Sequence, residues 1–236
     1  MGKKEQTSSM KKSKNILLDN IDSIIEQART EILPYFSDEL GDYSHCIQHA
    51  DRVIRLAQFL CLQEGGDCLV ISLAALFHDI ARTMEDRGEC TDHAIKGAEL
   101  AKGFLLLKYN LSCSTIDHVV YCIQNHRTNG SGTTLESKIL RDADKLDSLG
   151  AICISRVIAS SIQSSKYKRP IFDPLIQPEG HETASAIHYL ILLTERYKND
   201  DYFITETARK MADERIIVIN DFIKQFKKEW FFIKNN

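Results

Sequence analysis

The chain lacks any uninterrupted apolar run of about 18 residues, the length that a helix needs to cross a bilayer. Its first residues also lack the apolar segment of a secretory signal. Positive charge is not in excess either. The net charge is -3, so the chain lacks the excess of basic residues that is typical of nucleic-acid-binding proteins. We therefore expect a cytoplasmic protein with a small-molecule or protein partner, and neither a membrane nor a nucleic acid.

Two further absences concern cysteine spacing and strand patterning. The seven cysteines include no C-x-x-C pair and lie mostly in apolar helical stretches, which predicts reduced packing residues. No stretch alternates convincingly between apolar and polar residues, so no β-strand is predicted. Proline is scarce as well: three of the four lie in residues 164–179, which are predicted to form an irregular, lid-like excursion.

Apolar residues at helical spacing are what the chain does contain, and they predict an all-α fold of about eight helices. The predicted helices cover residues 15–33, 44–63, 67–82, 91–108, 111–126, 135–161, 183–197 and 205–231. The acidic cluster 142–147 is expected to interrupt the helical pattern of residues 135–161. Residues 1–14 carry five lysines and little that is apolar, so they are predicted to form a disordered basic tail. Residues 15–236 are expected to form a single helical domain.

The most informative stretch is Phe77-His78-Asp79-Ile80, at the end of the apolar run 69–76. A segment that is apolar on nearly every face belongs to a buried helix, where an adjacent histidine and aspartate would be costly without compensation. A bound metal would supply that compensation. Four further candidates stand at helix ends or on helix faces beside apolar residues: His49, His93, His126 and Asp144. Taken singly, each histidine also fits a hydrogen-bonded core residue, and Asp144 also fits a helix cap.

Together these residues resemble the HD superfamily of metal-dependent phosphohydrolases, whose pattern is a His, then His-Asp, then a distant Asp. The matching segments are "HADRV" with His49, "LFHDI" with His78 and Asp79, and "RDADKLD" with Asp144. His93 in "TDHAIKGAEL" and His126 in "IQNHRTNG" are similar to the extra histidines of the branch that holds two metals. The resemblance implies an HD-type helical bundle with its metal-site core at about residues 43–165.

The resemblance also implies how the ligands divide. One metal would take His49, His78, Asp79 and Asp144, and a second would share Asp79 and take His93 and His126. Imidazole and carboxylate ligands suit Mn, Fe, Co, Ni or Zn, and the sequence does not choose among them. The sequence departs from some mononuclear nucleotidases of the superfamily, because Arg82 stands where they carry a glutamate three residues after the His-Asp aspartate.

The leading hypothesis is a metal-dependent phosphohydrolase that cleaves a phosphate mono- or diester of a small molecule, most plausibly a nucleotide, with a metal-activated hydroxide as the nucleophile. Asp79 is the predicted bridging carboxylate. Lys145 and Arg82 are predicted phosphate contacts, and Arg127 is a further candidate. His45, one helical turn before His49, could orient that ring.

Two other functions use the same residues. The first is an HD-fold di-iron oxygenase, which iron dependence and oxygen uptake would reveal. The second is a non-catalytic metal-containing module that binds a nucleotide, although a structural site is usually closed at four ligands. His188 could line the pocket, and the aromatic C-terminal helix offers a face through which two copies could form a homodimer.

Overall fold

The computed structural model describes residues 21–36, 46–127, 129–164, 167–175, 184–198 and 202–232. The predicted basic tail 1–14 and His45 lie outside these residues. Over the described ranges the chain is helical and has no strand, which confirms the all-α prediction. In the same ranges no helix has the length and apolarity to cross a membrane.

The helices are numbered in chain order. Helix α1 is described over residues 21–32 and leads into a 3-10 turn, Leu33–Tyr35. The others are α2 (Ile47–Glu64), α3 (Cys68–Phe77), α4 (Arg82–Asp86), α5 (His93–Lys108), α6 (Cys113–Gln124), α7 (Leu135–Asp147), α8 (Gly150–Gln163), α9 (Ala186–Tyr197) and α10 (Glu206–Trp230).

Helix α3 lies at the centre of the fold. Asp67 is its N-cap, because its carboxylate accepts hydrogen bonds from the amides of Leu69 and Val70. Eight of its ten residues are buried, and α2, α5, α6 and α7 pack around it. Each Leu- or Phe-sized side chain buried there contributes about 1.5–3 kcal/mol relative to exposure. This core fixes the end of α3, where the His-Asp pair follows.

Two boundaries differ from the sequence prediction. The acidic cluster 142–147 does not interrupt a helix but forms the last turns of α7. The break comes afterwards, at residues 148–149, and α8 then begins at Gly150, whose φ of 78° is a conformation that favours glycine. The connection expected from residue 83 onward begins with the short helix α4.

One cysteine pair also corrects the prediction of reduced thiols. Cys61, near the end of α2, and Cys68, at the start of α3, form a disulfide across the turn at Gly65 and Gly66. Both glycines have positive φ, so the chain reverses tightly enough to bring the two Cα atoms within 5.9 Å. The sequence analysis did not predict the pairing of cysteines across this turn.

Candidate metal centre

Four histidines converge from the ends of four different helices. His49 lies in the first turn of α2, His78 directly follows α3, His93 begins α5 and His126 comes just after α6. All four are buried, with no more than 3% of their surface exposed. Asp92 positions the start of α5 because its carboxylate accepts hydrogen bonds from the first turn's amides. Helix ends therefore bring together side chains that are far apart in sequence.

Each of the four rings has its Nδ1 held by an oxygen atom that accepts hydrogen bonds. The acceptors are Asp147 Oδ2 for His49 (2.7 Å), the Ala75 carbonyl for His78 (2.8 Å), Glu85 Oε2 for His93 (2.5 Å) and the Ile123 carbonyl for His126 (2.7 Å). A peptide carbonyl can only accept, so the Nδ1 atoms of His78 and His126 carry hydrogen. In a neutral ring the Nε2 atom is then a free lone pair, which is the form that binds metal.

The Nε2 atoms face one another in two pairs. The Nε2 atoms of His49 and His78 are 3.3 Å apart, and those of His93 and His126 are also 3.3 Å apart. Two neutral rings whose Nδ1 atoms carry the hydrogen offer two lone pairs and no hydrogen to place between them. Such buried pairs need a cation or a proton between them, and divalent transition metals accept imidazole nitrogen well.

The Asp79 carboxylate lies between the two histidine pairs. Its Oδ2 is 3.5 Å from His78 Nε2 and 3.7 Å from His49 Nε2. Its Oδ1 is 3.3 Å from His93 Nε2 and 3.7 Å from His126 Nε2. Two three-residue groups, His49, His78 and Asp79 and then Asp79, His93 and His126, can thus each hold a metal ion, with Asp79 common to both.

Asp144 joins the first group from α7. Its Oδ1 lies 3.2 Å from His49 Nε2 and 3.8 Å from His78 Nε2, and 28% of its side chain is exposed. The structure thus brings all six predicted ligands into one cluster, divided as the sequence analysis expected. Their residue types and arrangement fit divalent ions, and their role as ligands stays a prediction.

The cluster attracts positive charge. Burial alone would lower the pKa of His126, but hydrogen bonding and charge from Asp79 raise it above the ordinary value. Burial has the larger effect on His78 and lowers the pKa of that ring to about 4, so it is neutral at pH 7. Burial also opposes ionisation of Asp144, yet His49 and His78 hold the pKa of this carboxyl well below its ordinary value. A bound cation would supply the positive charge that these carboxylates favour.

Asp147 is a site residue that the sequence analysis did not single out. It is buried, and besides holding His49 it accepts two hydrogen bonds from Arg52, from Nε to Oδ1 at 2.7 Å and from Nη2 to Oδ2 at 2.9 Å. The Arg156 guanidinium donates to the same carboxylate. Asp147 therefore fixes the ring orientation of His49. Its spacing of three residues from Asp144 placed both on one face of α7, and that was the available signal.

The predicted phosphate contacts lie in three different settings. Arg82 Nη1 is 3.3 Å from Glu85 Oε2 and 3.5 Å from His93 Nδ1, so this arginine borders the cluster. Arg127 donates to the other Glu85 oxygen at 3.3 Å. Lys145 instead donates from Nζ to the Tyr202 carbonyl at 2.6 Å, with its ammonium 4.5 Å from that ring's centroid.

Lys145 and His188 therefore stand apart from the expected roles. A phosphate contact by Lys145 requires its ammonium to leave the Tyr202 carbonyl, and burial lowers the pKa of this lysine to about 8. His188 is buried, where its Nδ1 bonds the Ser185 hydroxyl at 2.8 Å and its ring packs on Phe172. It supports the start of α9.

Comparison with known proteins gives a consistent picture. The sequence profile of the HD domain matches residues 46–149. One similar crystal structure is that of a predicted HD superfamily hydrolase from an uncultured Thermotogales bacterium. Its sequence is 33% identical to this chain, its TM-score is 0.58, and the match covers 85% of this chain and 92% of that one. The crystal structure of an HD-superfamily hydrolase from Bacillus thuringiensis has 28% sequence identity and a TM-score of 0.67. This match covers 89% of this chain and 98% of that one.

A third relative is YpgQ of Bacillus subtilis. Its sequence is 26% identical over 86% of this chain and 92% of YpgQ. A crystal structure of YpgQ in complex with ADP resembles the fold described above, with a TM-score of 0.64 over 89% of this chain and 96% of that one, at 22% identity.

Proposed function

The chain belongs to the HD superfamily, and from that membership we propose that it is a metal-dependent phosphohydrolase that cleaves a phosphate mono- or diester of a small molecule, with nucleotides as the first class to test. The observation that carries this proposal is the pair of facing Nε2 contacts with the Asp79 carboxylate between them. The presence of ADP in the YpgQ complex supports the choice of nucleotides.

The ligand assignment follows the two groups. His49, His78, Asp79 and Asp144 would hold one divalent ion, and Asp79, His93 and His126 would hold a second. When bound, such ions lower the pKa of a coordinated water and neutralise charge that develops on a phosphoryl oxygen. Their identity among Mn, Fe, Co, Ni and Zn is open to measurement.

The chain's own residues prepare this chemistry. Acceptors at the four Nδ1 atoms hold the rings in one tautomer and one orientation, so the ligand atoms need no rearrangement. Asp79 directs one carboxylate oxygen to each histidine pair. Arg82 lies beside His93 and offers a positive charge to an anionic ester. The four histidines have almost no exposed surface, whereas 28% of the Asp144 side chain is exposed, so Asp144 marks a side of the cluster that solvent reaches.

The test compares ester cleavage by wild type, Asp79→Ala and Asp51→Asn, each loaded with Mn, Co, Ni or Fe. Asp51 also lies on α2 but pairs with Arg29 away from the cluster, so its variant controls for loss of a carboxylate. We expect release of phosphate or nucleoside from wild type and Asp51→Asn and none from Asp79→Ala. Turnover by Asp79→Ala at the wild-type rate would refute the proposal. Oxygen uptake with iron and no ester cleavage would favour the oxygenase instead.

A further inference from the structure

A cavity of about 270 Å³ lies beside the candidate metal centre, and three arginines line it. Arg82 comes from α4, Arg156 from α8, and Arg169 from the segment after α8. Hydroxyl groups, among them those of Ser160 and Tyr167, complete the polar lining. Among the described residues that line it, none is an aspartate or a glutamate, although carboxylates outside the lining pair with two of the arginines, Glu85 and Asp86 with Arg82 and Asp147 with Arg156.

The three guanidinium groups are held in place by different contacts. Arg82 Nη2 donates to the Tyr167 hydroxyl at 3.2 Å. Arg156 Nη1 donates to the Asp147 carbonyl at 3.1 Å as well as to its carboxylate. Arg169 Nε donates to the Ser161 hydroxyl at 3.0 Å, and its guanidinium lies 4.5 Å from the centroid of the Tyr189 ring. The charges are therefore positioned before any ligand arrives, which reduces the ordering cost of binding.

Like charges around one cavity repel one another, and an anion bound between them adds attractive interactions that offset this repulsion. Burial lowers the pKa of Arg169 from its ordinary value, which shows that its charge is partly desolvated. The buried Nε of Arg82 makes no hydrogen bond with the described residues, and the nearest carboxylate oxygen given for it, Asp86 Oδ2, is 3.7 Å away. Planar guanidinium groups bind phosphate and carboxylate oxygens through paired hydrogen bonds. The cavity is thus suited to an oxyanion.

Two contacts connect the cavity with the metal centre. Arg82 lies 3.5 Å from His93 Nδ1, and Arg156 shares the Asp147 carboxylate with His49. Both contacts lie on the Nδ1 side of the rings, so the cavity is next to the histidines, and a ligand that reaches the Nε2 atoms and the cavity together must extend past the rings. The volume is below the usual range of about 300–1,000 Å³ for a complete drug-sized ligand, which suits one part of a larger molecule.

We propose that this arginine-lined cavity binds a second anionic group of the substrate, so that the substrate class is a phosphate ester with at least two anionic groups, such as a nucleoside diphosphate. The identity of the cleaved group rests on the function proposed above. The position of the second anion rests on the cavity alone.

The first test measures binding of inorganic phosphate by calorimetry to the full-length protein after metal removal, with helix content checked by circular dichroism. Arg169→Gln should weaken phosphate binding by about tenfold or more, since a charge-assisted hydrogen bond contributes about 1.5–3 kcal/mol. Arg169→Lys keeps the charge and should bind more tightly than Arg169→Gln. Arg55→Gln, an exposed position on α2 outside the cavity lining, is the matched control and should bind like wild type. Unchanged phosphate affinity in Arg169→Gln would overturn the proposal.

The second test uses the metal-loaded enzyme and a nucleoside monophosphate and diphosphate with the same base. Arg169→Gln should raise KM for the diphosphate about tenfold more than KM for the monophosphate, because only the diphosphate reaches both sites. Equal increases for both substrates would contradict a second anion site. If wild type cleaves neither compound while phosphate binding still depends on Arg169, the proposed hydrolysis fails and the assignment of the cavity remains.

Discussion

Replacing Asp147 with asparagine should loosen the first metal group without removing any proposed ligand. The partners of Asp147 are all donors: His49 Nδ1, two nitrogens of Arg52 and one of Arg156. The aspartate meets them with two acceptor oxygens, whereas asparagine has one oxygen and one NH2 group. Whichever way the amide turns, its NH2 group faces a donor.

The expected size of the effect follows from the burial of this network. Burial opposes ionisation of Asp147, but hydrogen bonds from His49 and Arg52 hold the pKa of its carboxyl well below the ordinary value. Only 2% of its side chain is exposed, so solvent cannot replace the lost acceptor. Breaking a buried ion pair by removing one partner costs about 3–5 kcal/mol of unfolding free energy. Loss of an outer hydrogen bond to a metal-binding histidine weakens metal affinity about 10- to 100-fold.

The assay is calorimetric titration of Mn or Co into wild type, Asp147→Asn and Asp51→Asn, together with denaturant unfolding of each. Asp51→Asn is matched because Asp51 also accepts two hydrogen bonds from one arginine, with 20% of its side chain exposed. We expect it to lose at most about 1 kcal/mol, as for surface ion pairs, and to keep wild-type metal affinity.

The result that would refute this reasoning is a metal affinity in Asp147→Asn equal to that of wild type in protein that remains folded. A loss of affinity of the same size in Asp51→Asn would refute it too, since the effect would then not pass through His49.

Three further predictions concern the fold. Gly150→Ala should lower the unfolding free energy by about 1–2 kcal/mol, because φ is 78° there and an added Cβ would lie 3.3 Å from Arg215. Gly103→Ala, in α5 with no atom within 4 Å of its added Cβ, should instead raise it by about 0.5–1 kcal/mol, and thermal unfolding of both variants checks the opposite signs. Asp142→Asn should cost about 2–3 kcal/mol of unfolding free energy, because this carboxylate accepts hydrogen bonds from the amides of Ile204 and Thr205 just before α10. Unchanged hydrogen exchange at Thr205 would contradict this anchoring role. Burial raises the pKa of the Cys122 thiol to about 12, so this thiol should not react with iodoacetamide at pH 9 until the protein unfolds. The exposed Cys113 on the same helix should be labelled under the same conditions, and mass spectrometry would distinguish the two sites.

The cluster was predictable because its members carry an unusual cost. Burying a histidine and an aspartate at the end of a wholly apolar helix costs free energy unless other groups bind them. The sequence around His78 and Asp79 shows such a pair beside an apolar run, and so predicts a site there. Which histidines pair was expected from the family resemblance alone. Whether they hold metal stays a prediction for the experiments above.

Contacts between distant segments were not predictable in the same way. Arg52 and Asp147 are 95 positions apart, and the sequence around each residue does not predict their contact. Lys145 illustrates a second limit, because it adjoins Asp144 in sequence yet faces Tyr202. Neighbours on a helix point about 100° apart, so adjacency there separates side chains and does not join them. The disulfide between Cys61 and Cys68 likewise depended on the exact reversal at two glycines.

The final turns of α7 give successive side chains different tasks. Asp142 anchors the residues before α10, Asp144 faces the histidines, Lys145 bonds Tyr202 and Asp147 holds His49. Adding or deleting one residue inside this stretch would rotate every later side chain by about 100° and exchange those tasks at once. Point substitutions here can be compensated one at a time, but a change of length cannot. Descendants of this sequence should therefore vary in length at their loops and keep residues 142–147 free of insertions and deletions.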